Sequence, residues 1–180
     1  MTSTSEAHPD LCEYEIWWRE HYNFFKANGY MLRSRYNPDW VPSWRNTEKA
    51  PEHCEDGVKL PAHVSIVCSC NNDIHKLSHV LQYCHLLDAR RARDGARVSL
   101  KRIDTSKYPH EIEITRNFGT STLSQDRANH CVPIYEVLKV PNDNNLKILV
   151  MPLLRDATEP SFDTVGEVID CVYQLLEVRP

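Results

Sequence analysis

The chain has 180 residues, 41% of them hydrophobic and 26% charged, which suits one ordinary soluble domain with its own core and argues against wholesale disorder. A net charge of −4 gives no electrostatic reason to place nucleic acid or an anionic membrane among its partners, and no apolar run is long enough to span a bilayer. The N-terminus, MTSTSEAHPD, has no basic or apolar segment of a secretory signal, and the seven cysteines are an odd number, so reduced thiols in the cytoplasm or nucleus are expected.

Residues 1–10 read as a disordered polar tail. From Glu13 to Asn28, the residues Tyr14, Trp17, Trp18, His21, Tyr22 and Phe25 recur at helical spacing, and Gly29 supplies a stop. Such a stripe could dock in a partner's groove, but packing on its own domain is the simpler expectation. In GYMLRSRYNPDWVPSW, Pro38 and Pro42 disfavour a regular element, and the Trp40 and Trp44 rings are expected to pin the stretch down. Residues 45–61 read as polar loop, so 11–61 form a helical and extended arm.

Residues 62–82 differ in character. HVSIVCS suggests a short strand, and from Asp73, a candidate N-cap, Ile74, Leu77, Leu81, Cys84 and, if the helix runs on, Leu87 follow helical spacing. That helix either stops before residue 85 or runs on toward Gly95. HLLDARRARDGARVSLKRI reads as strand, turn at Asp94-Gly95, and strand. YPHEIEITRNFG reads as a short helix with Pro109 in its first turn and Gly119 at its end. Glu111 shares a face with Ile114, Thr115 and Phe118, which puts it on the half-buried side, while Glu113 lies nearly opposite. HCVPIYEVLKV, PNDNN and LKILVMPLL make a hairpin signal. TVGEVIDCVYQLLEV is an amphipathic helix with Thr164 and Glu167 in a capping-box pattern and an apolar stripe of Val165, Val168, Ile169, Val172 and Leu176.

The strand RVSLKRI poses the functional question. Val98 and Leu100 point to one face, and Arg97, Ser99 and Lys101 to the other. A surface strand explains this. So does a nucleotide pocket, where the small residue makes room and the lysine meets phosphate. From spacing alone, a lysine and a Glu111 carboxylate that never meet is the simpler reading. Cys68, Cys70, His75 and His79 invite a zinc site, because His75 and His79 lie four apart on one helix face. Their spacing fits no recognised module, and surface histidines with buried thiols are the expectation. Cys131 and Cys171 read as core thiols.

In order, the chain offers a strand pair with Lys101, a helix with Glu111, a hairpin ending in ILVMPLL, and a further helix. That order resembles the N-terminal lobe of a eukaryotic protein kinase running into the first helix of the C-terminal lobe. Closer still, YEIWWREHYNFFKANGYMLRSRYNPDWVPSW, CEDG, LLDARRARDG, NHCVPIYEVL and ILVMPLLR resemble a kinase-like family expanded in mushroom-forming fungi. The resemblance implies an α+β fold: an antiparallel sheet of about five strands with one regulatory-type helix over residues 83–155. The aromatic helical arm would precede it, and 156–180 would begin a second lobe.

ATP is the implied ligand. Lys101 would anchor its phosphates, Glu111 would hold that lysine, and Ser99 would lie under the base. Met151 would be the gatekeeper, and the backbone around Leu153 would meet adenine. No G-x-G-x-x-G loop, no H-R-D loop and no D-F-G motif occurs in the sequence. The catalytic residues and the magnesium ligands of a complete version therefore have no counterpart, and the chain is expected to be inactive in phosphoryl transfer to protein. The alternative is a non-catalytic, pseudokinase-type interaction module. Without a second lobe to cover it, the apolar side of the last helix should be exposed and promote self-association.

Residues 62–82 form an atypical insertion that a retained intron would explain. Val64-Ser65 can be encoded by a donor consensus and Leu81-Gln82 can end in an acceptor, and Val178-Arg179 can encode a second donor. The alternative is that these junctions belong to the protein, since degenerate codons suit many Val-Ser pairs.

Overall fold

The structure is a computed structural model that describes residues 11, 13–50, 53–54, 56, 85–120, 122–126, 129–154 and 162–177. The expectations for residues 1–10 and 62–82, the Asp73 helix and the Cys68/Cys70/His75/His79 group among them, lie outside the described residues. The fold is α+β, with a five-stranded antiparallel sheet in the order β1-β2-β3-β5-β4. Its strands are β1 (Tyr30–Met31), β2 (Leu86–Arg91), β3 (Arg97–Asp104), β4 (Glu136–Lys139) and β5 (Leu146–Pro152). The chain divides into two compact units, Met1–Val98 and Ser99–Pro180.

In the first unit, the helix expected over 13–28 is two helices, α1 (Glu13–Glu20) and α2 (Tyr22–Ala27), parted at His21. His21 has φ −97° and ψ 9°. Its ring stacks on Trp17 with centroids 4.0 Å apart, and its Nδ1 donates to Trp17 O at 2.8 Å. The backbone ladder still crosses this point, with His21 N donating to Trp17 O at 3.2 Å and Phe25 N to His21 O at 3.1 Å. Gly29, at φ +81°, ends α2 as expected.

Trp18, Tyr22 and Phe25 are buried, so the aromatic stripe serves the arm's own core. The arm also supplies β1, which pairs with β2 through Tyr30↔Arg91 and Met31↔Arg90. Beyond β1 the chain makes 3-10 turns at Ser34–Tyr36 and Ser43–Asn46, with Trp40 buried and packed edge-on to Trp44 at 5.5 Å.

The hairpin of β2 and β3 turns at residues 92–96, so no helix runs on to Gly95. Asp94 organises that turn. It accepts two hydrogen bonds from Arg91 and one from Ala96 N, and Gly95 supplies the positive φ, +70°. The Arg91 bonds, with that of Ala96, hold the Asp94 carboxyl at about 2.

In the second unit, α3 (Glu111–Thr120) follows β3, and the β4–β5 hairpin follows α3. Glu136↔Val150 through Lys139↔Lys147 set the register. Ile148, Leu149 and Val150 are consecutive and all buried, so β5 is covered on both faces. Gly119 does not terminate α3, which runs to Thr120. The end is held instead by Asn129, whose Nδ2 donates to Phe118 O and Leu123 O, each at 2.8 Å.

The last helix, α4 (Val165–Glu177), begins at the expected Thr164 cap, but the reciprocal bond of the capping box falls one residue early. Glu167 N donates to Thr164 Oγ1 at 3.3 Å, while the Glu167 carboxylate accepts from Asp163 N at 2.9 Å. Val165, Val168, Ile169, Val172 and Leu176 on it are all exposed. Cys131 is exposed and Cys171 partly so, against the expectation of core thiols, because the irregular segment before β4 and the body of α4 bury few side chains.

Candidate functional site

The site grows out of β3. Its burial does not fit a strand with one wet face. Val98 and Leu100 are buried on one side, as their alternation requires. On the other side Ser99 and Lys101 are half-buried, and Ile103, two residues on, is only 2% exposed. The Lys101 face is a partly covered surface, closing from the exposed Arg97 toward Ile103.

Glu111 reaches that face from the first turn of α3. Lys101 Nζ donates to Glu111 Oε1 at 2.5 Å, with the two side chains 39% and 27% exposed. A pair that open to water contributes on the order of 0–1 kcal/mol to stability, so its effect is to orient the ammonium rather than to hold the fold. Thr115 Oγ1 donates to Glu111 O at 2.7 Å one turn on, on the half-buried side that the helical spacing assigns to both. Ile114 and Phe118, expected on the same half-buried side, are 53% and 39% exposed.

No match to the chain is found among family models, characterised proteins or solved structures.

Of the five residues singled out in the sequence, the structure joins Lys101 and Glu111 directly. Ser99 lies on the same strand face as Lys101. Met151 stands in β5, the strand beside β3 in the sheet, and Leu153 just beyond it, both half-buried. Among the described residues no three of His, Cys, Asp and Glu converge as metal ligands would. None of the described helices is long and apolar enough to cross a membrane.

Two clusters carry no signal in the sequence. The first ties α1 to the turns that follow β1. Arg35 Nη2 donates to Glu15 Oε2 at 3.0 Å, and Arg35 Nε lies 2.9 Å from Glu15 Oε1. Tyr36 OH donates to Glu15 Oε1 at 3.2 Å, and Arg35 Nη1 donates to Asp56 O at 3.1 Å. Burial, with the Glu15 charge behind it, pushes the Tyr36 phenol far above its ordinary range. Asp56 in turn accepts from Trp40 Nε1 at 2.8 Å and from Ser43 N at 2.9 Å. Burial pushes its carboxyl up, but the bonds from Ser43 and Trp40 outweigh that and hold it low. An open groove of about 780 Å³, lined in part by Trp40, Ser43, Lys49 and Asp56, lies beside this cluster.

The second cluster joins the end of β3 to the β4–β5 turn through Thr105 and Asn145. A search for chemistry-bearing residue types passes over it, because its acceptor is a backbone carbonyl.

Proposed function

We propose that the chain is protein kinase-like and that its sheet presents an ATP-binding site. Lys101 is the phosphate anchor and Glu111 the carboxylate that orients it. Ser99 leaves space beneath the base, and Met151 and the backbone at Leu153 form the adenine side. The observation that carries this reading is the 2.5 Å contact between Lys101 and Glu111 on a half-buried strand face. The chain order agrees with the resemblance: lysine strand, glutamate helix, then a hairpin whose last strand ends at the candidate hinge.

ATP would supply the phosphoryl group, and in a complete version magnesium would accompany it. This chain's residues bind and orient. With no H-R-D or D-F-G in the sequence, no residue here is assigned to the transfer step. A second reading, a non-catalytic interaction module, is favoured by the exposed apolar side of α4.

The test is a magnesium-free titration of ATP into the chain, followed by protein NMR, against Lys101→Ala. A site without a Gly-rich phosphate loop should bind weakly, with a dissociation constant on the order of 1 mM. The perturbed signals should include β3 and the end of β5, and K101A should abolish them. A spectrum unchanged at saturating ATP would sink the nucleotide reading and leave the interaction module.

A further inference from the structure

We infer that Thr105 is the positioning residue of the Lys101–Glu111 pair, a latch that fixes where α3 begins. Its backbone N–H and its Oγ1 both donate to the carbonyl oxygen of Asn145, each at 2.8 Å. One carbonyl carries two lone pairs and can accept both. The functional weight of this latch rests on the nucleotide-site reading; the positioning itself does not.

The connection from β3 to α3 is short, residues 105–110, and is bonded along most of its length. The Asp104 carboxylate accepts from Ser106 N at 3.0 Å and Ser106 Oγ at 2.6 Å. Asp104 O accepts from Lys107 N at 3.1 Å and Tyr108 N at 2.9 Å. Glu111 N then donates to Tyr108 O at 3.4 Å. The acceptor is itself held. Asp143 Oδ1 accepts from Asn145 N at 2.9 Å and Leu146 N at 3.2 Å, and Asn142 takes the positive φ, 63°, that the turn requires.

The body of α3 cannot do this work alone. A helix is usually located by its buried apolar stripe. Here Ile114 and Phe118 are exposed, and the far end hangs on Asn129. Glu111 is the first residue of the helix, so the tethered end sets where its carboxylate stands. Because the tether ends on the β4–β5 turn, the pair forms from contacts within the chain and needs no partner to close it.

The experiment reads Lys101 directly. A lysine held by a carboxylate reacts slowly with an amine-acylating reagent, and site-resolved mass spectrometry measures its rate against the exposed Lys139 in the same sample. Glu111→Gln sets the rate of a released Lys101. Thr105→Val removes the hydroxyl donor and keeps the shape, and should raise Lys101 acylation several-fold toward the E111Q value. Thr105→Ser keeps the hydroxyl and should stay near wild type. Ser106→Ala loosens the same link at a second point and should act in the T105V direction, which covers a T105V chain that fails to fold. Unchanged Lys101 reactivity in both T105V and S106A overturns the latch, as does E111Q reacting like wild type. ATP binding is measured separately. Its absence in the wild-type chain overturns the nucleotide reading alone, whereas a T105V-specific loss of ATP affinity supports both.

Discussion

Arg35 and Glu15 face each other with both side chains buried, one on the 3-10 turn after β1 and the other on α1. Two charges out of water are stable only with their remaining donors and acceptors met, and here Tyr36 OH and Asp56 O supply the further partners. Removing one member leaves the other charged and buried. Glu15→Ala should therefore cost about 3–5 kcal/mol in urea unfolding. The double change Glu15→Leu with Arg35→Met should cost less than E15A alone, because no buried charge remains. A loss under about 1 kcal/mol for E15A would show that water reaches the pair.

Lys101→Ala and Glu111→Ala should behave in the opposite way. The pair is partly wet, so each change should move the urea midpoint by no more than about 1 kcal/mol equivalent. A large destabilisation would recast the pair as part of the core and weaken the case for a binding role.

Asp94 gives a pH prediction. Its folded pKa, about 2, lies below the ordinary aspartate value. Such a group contributes stability above the unfolded value, and that contribution fades as pH falls through the folded one. The Asp94 carboxyl carbon should titrate near pH 2 by NMR, and amide exchange in residues 92–96 should quicken in the same range. Asp94→Asn should show fast exchange at neutral pH as well. An Asp94 midpoint near 4 would mean that the Arg91 contact does not persist in solution.

The exposed side of α4 predicts association. Val168, Ile169 and Val172 lie together on one face and are open to water. Sedimentation velocity should show self-association of the wild-type chain rising with concentration. Val168→Ser with Ile169→Ser should reduce it. A monodisperse monomer at high concentration would count against it.

What the sequence revealed was local. The β2–β3 turn is legible in Asp94-Gly95, the β4–β5 hairpin in PNDNN between two apolar runs, and the start of α4 in Thr164 and Glu167. Each is set by neighbours a few residues away. Failures came where a distant or unexpected partner decided the outcome. Tyr30 and Met31 become a strand only because Arg90 and Arg91 lie beside them. Gly119 continues a helix because Asn129 caps it. His21 parts two helices where one was expected, with its ring on Trp17. Of the site, the residue types of Lys101 and Glu111 could be named, but only through a resemblance. The Thr105–Asn145 contact could not, because a backbone carbonyl leaves no trace in residue identity.

The pairing of β1 with β2 joins strands that are far apart in sequence, with residues 32–85 between them. The entropy of closing a loop grows only with the logarithm of its length, and a doubling costs about 0.6 kcal/mol. Removing residues 64–82 would change the number of residues between the two strands by less than a factor of two. The edge pairing of the sheet would therefore lose little free energy to an insertion or a deletion in that interval.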